Sequence, residues 1–216
     1  MNIAVFVSGN GTNLQALMDA EAKGKLAGGR IVLVVCDKPG AFALTRARKK
    51  KIDTYVQEKT GYSSREEYDR DIVKKLKEYK TELIVLAGFM RILSGHFVKE
   101  YKNRILNIHP ALLPSFIGTH GVKDAFEYGV KETGITVHFV TGELDSGPII
   151  LQEGVRIEEK DTLATLEEKI HKVEHRLYPE AVRLFAAGKL RVEGRRVRIK
   201  EKGKSSEATI SGAAAN

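Results

Sequence analysis

Arg30-Ile31-Val32-Leu33-Val34-Val35-Cys36 is one charge followed by an unbroken apolar, mostly β-branched run. A strand with one wet face alternates apolar and polar residues. A strand covered on both faces does not need to, and such strands belong to parallel sheets flanked by helices. Residues 2–7 form a second run of this kind. Residues 13–23 follow as an amphipathic helix, then a helix over 41–51, a strand over 52–56, a long charged helix over 64–79 and a buried strand over 82–87. The basic run 46–51 closes its helix, where cations suit the negative end of the dipole. This alternation predicts an α/β fold with a doubly wound, mostly parallel sheet and right-handed crossovers.

Beyond it the pattern changes. Residues 104–108 read as another strand, and 135–140 and 149–155 as a strand pair around a Gly/Asp-rich turn, giving the sheet an antiparallel edge. Asp161 is positioned to cap a helix reaching about Ala187, with Tyr178-Pro179 expected to kink or divide it. Residues 190–199 alternate about Glu193-Gly194 as a small hairpin. Residues 1–200 are expected to form a single domain, and the Ser-, Gly- and Ala-containing stretch 201–216 a disordered tail.

Composition narrows the function classes. With 216 residues, 30% charged and 42% hydrophobic, the chain has the make-up of a globular domain with a real core. No stretch has the apolar length of a membrane span, and Met1-Asn2-Ile3 enters an apolar segment with no basic leader, so neither membrane nor export is expected. The single Cys36 rules out an intrachain disulfide and fits a reducing cytoplasm. Of the net charge of +8, most lies in 189–204, where eight basic residues meet two acidic ones. No aromatic residues are interleaved there, so solvated charge is the expected reading rather than a nucleic-acid surface.

Three constellations could carry chemistry. Ser8-Gly9-Asn10-Gly11-Thr12-Asn13 joins the first strand to its helix, as a phosphate cradle does, and equally as a tight turn does. Leu14 stands where a dinucleotide fingerprint needs its third glycine, although Asp37 mimics that fingerprint's ribose-binding acid. His171-Lys172-Val173-Glu174-His175 has the spacing of an inverted zinc-protease helix, but little chain follows for a third ligand, so a chance match is expected and no metal is assigned. His96, His138 and Cys36 read as isolated structural residues. Asn107 and His109 are two apart on a strand and therefore share a face, just before an irregular turn bounded by Pro110 and Pro114. With a carboxylate such as Asp145 to orient and charge the imidazole, they make a compact acyl-transfer set. The same pattern also fits a hydrogen-bonded core Asn with a capping His.

Leu86-Ala87-Gly88-Phe89-Met90-Arg91-Ile92-Leu93, Asn107-Ile108-His109-Pro110-Ala111-Leu112-Leu113-Pro114 and Asp145-Ser146-Gly147-Pro148 together resemble the folate-dependent formyltransferases. The loop 8–13 narrows the resemblance to the branch that formylates glycinamide ribonucleotide in purine synthesis, and the likeness runs from Met1 to about Leu190. The resemblance implies Asn107, His109 and Asp145 as catalytic residues. It implies Gly11, Thr12 and Asn13 on the acceptor's phosphate and Glu174 on its ribose. For the donor, 10-formyltetrahydrofolate, it implies Met90, Arg91, Ile92, Leu93, Asn107, Thr141, Gly142, Glu143, Leu144 and Asp145, with Arg65 nearby. The partners implied are small molecules, with no nucleic acid, and the chain would act as a monomer or homodimer. Thr12 for the commoner Ser, Ile117 before Gly118, and Gly121-Val122 after His120 depart from the family pattern and bear on the loop at 119–123, not on the trio. A tRNA-formylating sibling would carry a further C-terminal domain and a formylfolate hydrolase a further N-terminal one; neither is expected here.

Overall fold

The computed structural model describes residues 1–200. Its first half winds as the apolar runs predict. Strands β1 (Asn2–Val7), β2 (Arg30–Cys36), β3 (Asp53–Val56), β4 (Leu83–Leu86) and β5 (Ile105–His109) are parallel, in the order β3-β2-β1-β4-β5. Helices α1 (Thr12–Ala22), α2 (Phe42–Lys49), α3 (Arg65–Glu78) and α4 (Gly95–Glu100) make the crossovers. The period of two along β1 sorts its side chains between two cores. Ile3, Val5 and Val7 pack with Leu14, Leu17 and Leu44 of α1 and α2, while Ala4 and Phe6 pack with Tyr68, Ile72 and Phe97 of α3 and α4. Burial on both faces is why the strands carry no polar alternation.

The second half is antiparallel: β6 (Glu132–Phe139) pairs with β5, and β7 (Ile149–Arg156) pairs with β6. The antiparallel edge that the sequence suggests is present, although this pair is not its outermost part. The hairpin of β8 (Leu190–Glu193) and β9 (Arg196–Ile199) forms as expected and extends the sheet outward, β9 touching β7 at Ile149 and Arg196. Strand β6 also begins earlier than expected, at Glu132, and takes in Gly134 at a close approach to β7. A Cβ there would come within 2.2 Å of the Glu153 carbonyl oxygen. The expected tail, 201–216, lies outside the described residues.

Three helical features differ from expectation. Helices α4 and α5 (Gly121–Tyr128) have six and eight residues, too few for a legible period. The helix α6 (Leu163–Ala186) is capped by Thr162, which exchanges reciprocal bonds with Thr165, while Asp161 instead receives Lys169. Finally, α6 runs unbroken through Pro179. The proline removes one backbone hydrogen bond, but Leu177, Tyr178, Ala181 and Val182 around it are all buried in the core. That burial stabilises the helix more than the missing bond costs.

Tyr178 fixes α6 to the sheet. It is fully buried, and its hydroxyl shares one proton between the carbonyls of Leu86 (2.8 Å) and Leu106 (3.0 Å), at the ends of β4 and β5. Removing that hydroxyl leaves two buried acceptors short of a donor. Tyr178→Phe is therefore expected to cost about 1–2 kcal/mol and to lower the melting temperature by roughly 2–8 °C, read by thermal unfolding.

Candidate active site

Strand β5 buries Leu106 and Ile108 in one core and turns Asn107 and His109 together toward the other side, as the period of two demands. Asn107 is half-buried and His109 buried. Asp145 reaches them from the loop between β6 and β7. Its Oδ2 lies 3.4 Å from His109 Nδ1, and its Oδ1 accepts from Asn107 Nδ2 at 3.4 Å. Two local features aim this carboxylate. Asp145 has a left-handed backbone (φ 47°), uncommon for a side-chain-bearing residue. Gly147 lets the loop cross the Phe139 carbonyl, where a Cβ would stand 1.7 Å from the oxygen.

His138, expected to be isolated and structural, belongs to this cluster. It stands opposite Asn107 in the β5–β6 ladder, with Nε2 3.2 Å from Asn107 Nδ2 and 3.6 Å from Asp145 Oδ1. Its Nδ1–H donates to the Phe139 carbonyl (2.9 Å). Cross-strand register brings these residues together, and no spacing along the chain announces it. His109 Nε2–H donates to the carbonyl of Phe116 (2.8 Å), and the Gly118 amide donates to Asp145 Oδ2 (3.2 Å). His109 Nδ1 thus faces the Asp145 carboxylate while Nε2 is held by Phe116. Burial disfavours the charge on Asp145, but His138, the nearby His109 and the Gly118 amide outweigh it and hold the carboxyl below its ordinary range.

An apolar cleft opens beside the trio. Met90, Arg91, Ile92 and Leu93 line one wall, and Thr141, Gly142, Glu143, Leu144 and Asp145 the other, with Asn107 and His138 at its end. Met90 (60%), Ile92 (57%) and Leu144 (54%) expose apolar side chains here, the kind of surface that takes a flat organic ligand. Arg65 is the first residue of α3 and is not part of this lining; Arg91 is, with its guanidinium 3.8 Å over the Tyr68 ring.

The loop after β1 lies on the neighbouring side. Gly11 precedes α1 with φ 76°, and no side chain caps the helix start, which leaves backbone N–H groups of its first turn without a side-chain acceptor. Any side chain on Gly11 would meet Ala43 Cβ at 2.6 Å. Arg46 braces the loop from α2, donating to the Asn10 carbonyl (2.9 Å) and to Asn10 Oδ1 (2.8 Å). Asn13 Nδ2 donates to Glu174 Oε2 (3.1 Å), joining loop to α6. The same oxygen takes His171 Nδ1 at 2.9 Å, so this Glu–His pair serves the loop's side of the helix. Hydrogen bonding to Glu174 raises the His171 pKa against the effect of burial, while burial foremost lowers that of His175, stacked on it at 6.1 Å. Leu14 is core, and Asp37 stands near Tyr68. Cys36 is buried against Lys38, and His96 is exposed on α4. A wider, open groove of about 860 Å³ begins at Thr12 between α1 and α6. The residues that line it form no converging Asn–His–Asp set like that at the end of β5.

Residues 1–182 match the formyl transferase family. The chain is 44% identical to the phosphoribosylglycinamide formyltransferase of Escherichia coli over 192 residues, covering 89% of this chain and 90% of that one. It is 47% identical to the trifunctional purine biosynthetic protein adenosine-3 of Gallus gallus, but spans only 19% of that longer protein. The crystal structure of glycinamide ribonucleotide transformylase 1 from Symbiobacterium toebii superposes with a TM-score of 0.90 at 46% identity, covering 93% of this chain and 94% of that one. With most of its length matched and its parallel core, antiparallel extension and clustered Asn, His and Asp side chains in hand, the chain belongs to the formyl transferase family.

Proposed function

We propose that this protein transfers the formyl group of 10-formyltetrahydrofolate to the amine of glycinamide ribonucleotide, giving formylglycinamide ribonucleotide and tetrahydrofolate in de novo purine biosynthesis. It would act in the cytoplasm, as a monomer or homodimer, on small molecules alone. The observation that carries the reading is the convergence of Asn107, His109 and Asp145, within 3.4 Å of one another through Asp145, at the end of an apolar cleft.

In this reading the donor's ring system lies between residues 90–93 and 141–145, and the acceptor's phosphate meets Gly11, Thr12 and Asn13, with Glu174 on its ribose. The neutral amine attacks the formyl carbon and an oxyanion develops. The Asn107 amide and the His109 imidazolium exchange their present acceptors, Asp145 and the Phe116 carbonyl, for that oxygen. The new C–N bond forms on the acceptor, the bond to the folate nitrogen breaks, and one proton passes from the attacking amine to the leaving nitrogen. Asp145, ionised and in contact with His109, is the relay and keeps the imidazole turned correctly. The protein's contribution is position and field.

Purified protein is expected to deformylate 10-formyltetrahydrofolate, followed by absorbance, only when glycinamide ribonucleotide is present. Deformylation without the ribonucleotide would instead indicate a hydrolase. Asn107→Ala and His109→Ala each remove one oxyanion donor and are expected to lower kcat by about 10²–10³-fold with the fold intact. Near-normal turnover by either would remove its assigned role. Asp145 presents a second test, through pH. Its pKa lies below the ordinary carboxylate value, so the carboxylate is already formed throughout pH 5–9. Asp145→Asn is therefore expected to lose activity about equally at every pH in that range. Activity regained at one end of the range would show that Asp145 acts through the protonation of a neighbouring group and not through its own standing charge.

A further inference from the structure

The loop at 88–93 presents Met90 and Ile92 to solvent, 60% and 57% exposed. Hydrophobic burial alone would fold such side chains inward, so something else must hold the backbone that carries them. The backbone here belongs to neither helix nor strand. Two buried polar residues grip it from different elements. Ser8, 5% exposed at the end of β1, accepts the Met90 N–H on Oγ at 2.9 Å. Asp69, 2% exposed on α3, accepts the Ser94 N–H on Oδ2 at 2.6 Å, and Ser94 Oγ in turn accepts the Phe97 N–H that starts α4. Between these points, Arg91 lies over Tyr68, the neighbour of Asp69 on α3.

We propose that Ser8 and Asp69 are positioning residues that clamp the 88–93 loop in the shape that receives the formyl donor; this rests on the assignment of that loop to the donor. Neither residue lines the apolar cleft itself. Burial raises the Asp69 pKa more than Ser94, Arg91 and Arg65 lower it, so its carboxyl sits where ionisation is opposed. A polar group buried at such a place normally has its acceptors committed, and here Oδ2 is committed to Ser94 just past the loop. Ser8 does the same at Met90.

The test is steady-state kinetics with 10-formyltetrahydrofolate and glycinamide ribonucleotide varied separately, on Ser8→Ala, Ser8→Thr and Asp69→Ala. In Ser8→Ala and Asp69→Ala the donor KM is expected to rise about tenfold, the equivalent of one well-made hydrogen bond, with kcat and acceptor KM within about threefold of wild type. Ser8→Thr keeps an oxygen acceptor and should return the donor KM to within about twofold. Hydrogen exchange of amides 88–94 should accelerate in Ser8→Ala while the rest of the chain is unchanged. An unchanged donor KM in folded Ser8→Ala, or both KM values rising together, overturns the proposal. If Asp69→Ala fails to fold, the two Ser8 variants still decide the matter. Absence of wild-type turnover on the formyl folate would instead remove the donor assignment, and unchanged exchange at 88–94 in Ser8→Ala would then still overturn the clamp.

Discussion

Strands β1 and β4 lie side by side, in register from Ile3 and Leu83 to Phe6 and Leu86, yet the chain leaves them toward opposite faces of the sheet. From β1 it crosses to α1 in one core; from β4 it turns toward α4 in the other. Backbones that part in this way leave a crevice beyond the carboxyl ends of the strands, which is where open α/β sheets bind ligands. Loop 8–13 enters that crevice from one side and loop 88–93 from the other, meeting at Ser8 and Met90. One strand further along, Leu86 at the end of β4 stands opposite Asn107, and β5 runs on to His109, so both side chains are delivered at the crevice. Tyr178 ties the two strands together, because its hydroxyl bridges the last carbonyl of β4 and one in β5. The site is thus a consequence of strand order before it is a consequence of any catalytic side chain.

Within the crevice the dominant electrostatic fact is a carboxylate whose side chain is only 6% exposed. An unpartnered charge at such depth costs several kcal/mol, and a carboxyl left alone would stay protonated. Asp145 goes the other way, because His138, His109, Asn107 and the Gly118 amide surround it. These partners come from β6, β5 and the loop after β5, so the charge is supported by tertiary structure rather than by its own loop. The left-handed backbone at Asp145 and the close passage of Gly147 under Phe139 are the local strain and crowding that aim it there. A preorganised set of this kind has its dipoles in place before the reaction begins, which is where such groups contribute most.

Most of the parallel half was legible because β1, β2 and β4 are apolar runs and α1 and α3 are long enough to show their period. Asn107 and His109 were legible as a pair sharing a face, since alternation along one strand is a local property. Their partner His138 was not, because it is brought in by cross-strand register, and register depends on which strands pair. The short helices α4 and α5 left no periodic trace. Pro179 was misleading: its local rule predicts a break, and tertiary burial of Leu177, Tyr178, Ala181 and Val182 overrides it. The loop at 8–13 was not legible from its glycines, which alone fit a phosphate cradle and a tight turn equally well.

The basic excess has a similar local explanation. The β8–β9 hairpin ends the sheet, and an end strand offers unpaired N–H and C=O groups to any passing strand. Arg191, Arg196 and Arg198 are all exposed there. Glu193 lies between two of them, 3.2 Å from Arg191 Nε and 2.5 Å from Arg198 Nε. The Arg198 hydrogen bond foremost lowers the Glu193 pKa, against a smaller opposing effect of desolvation. Ion pairs this exposed add little to stability, so their use lies elsewhere. Long charged side chains along an edge must be desolvated before another strand can dock, and like charges repel a second copy of the same edge. A nucleic-acid surface would combine such cations with aromatic rings for stacking, whereas residues 189–200 contain no Phe, Tyr or Trp. Among the described residues, the charge on this hairpin thus sits where the last strands of the sheet would otherwise invite another strand.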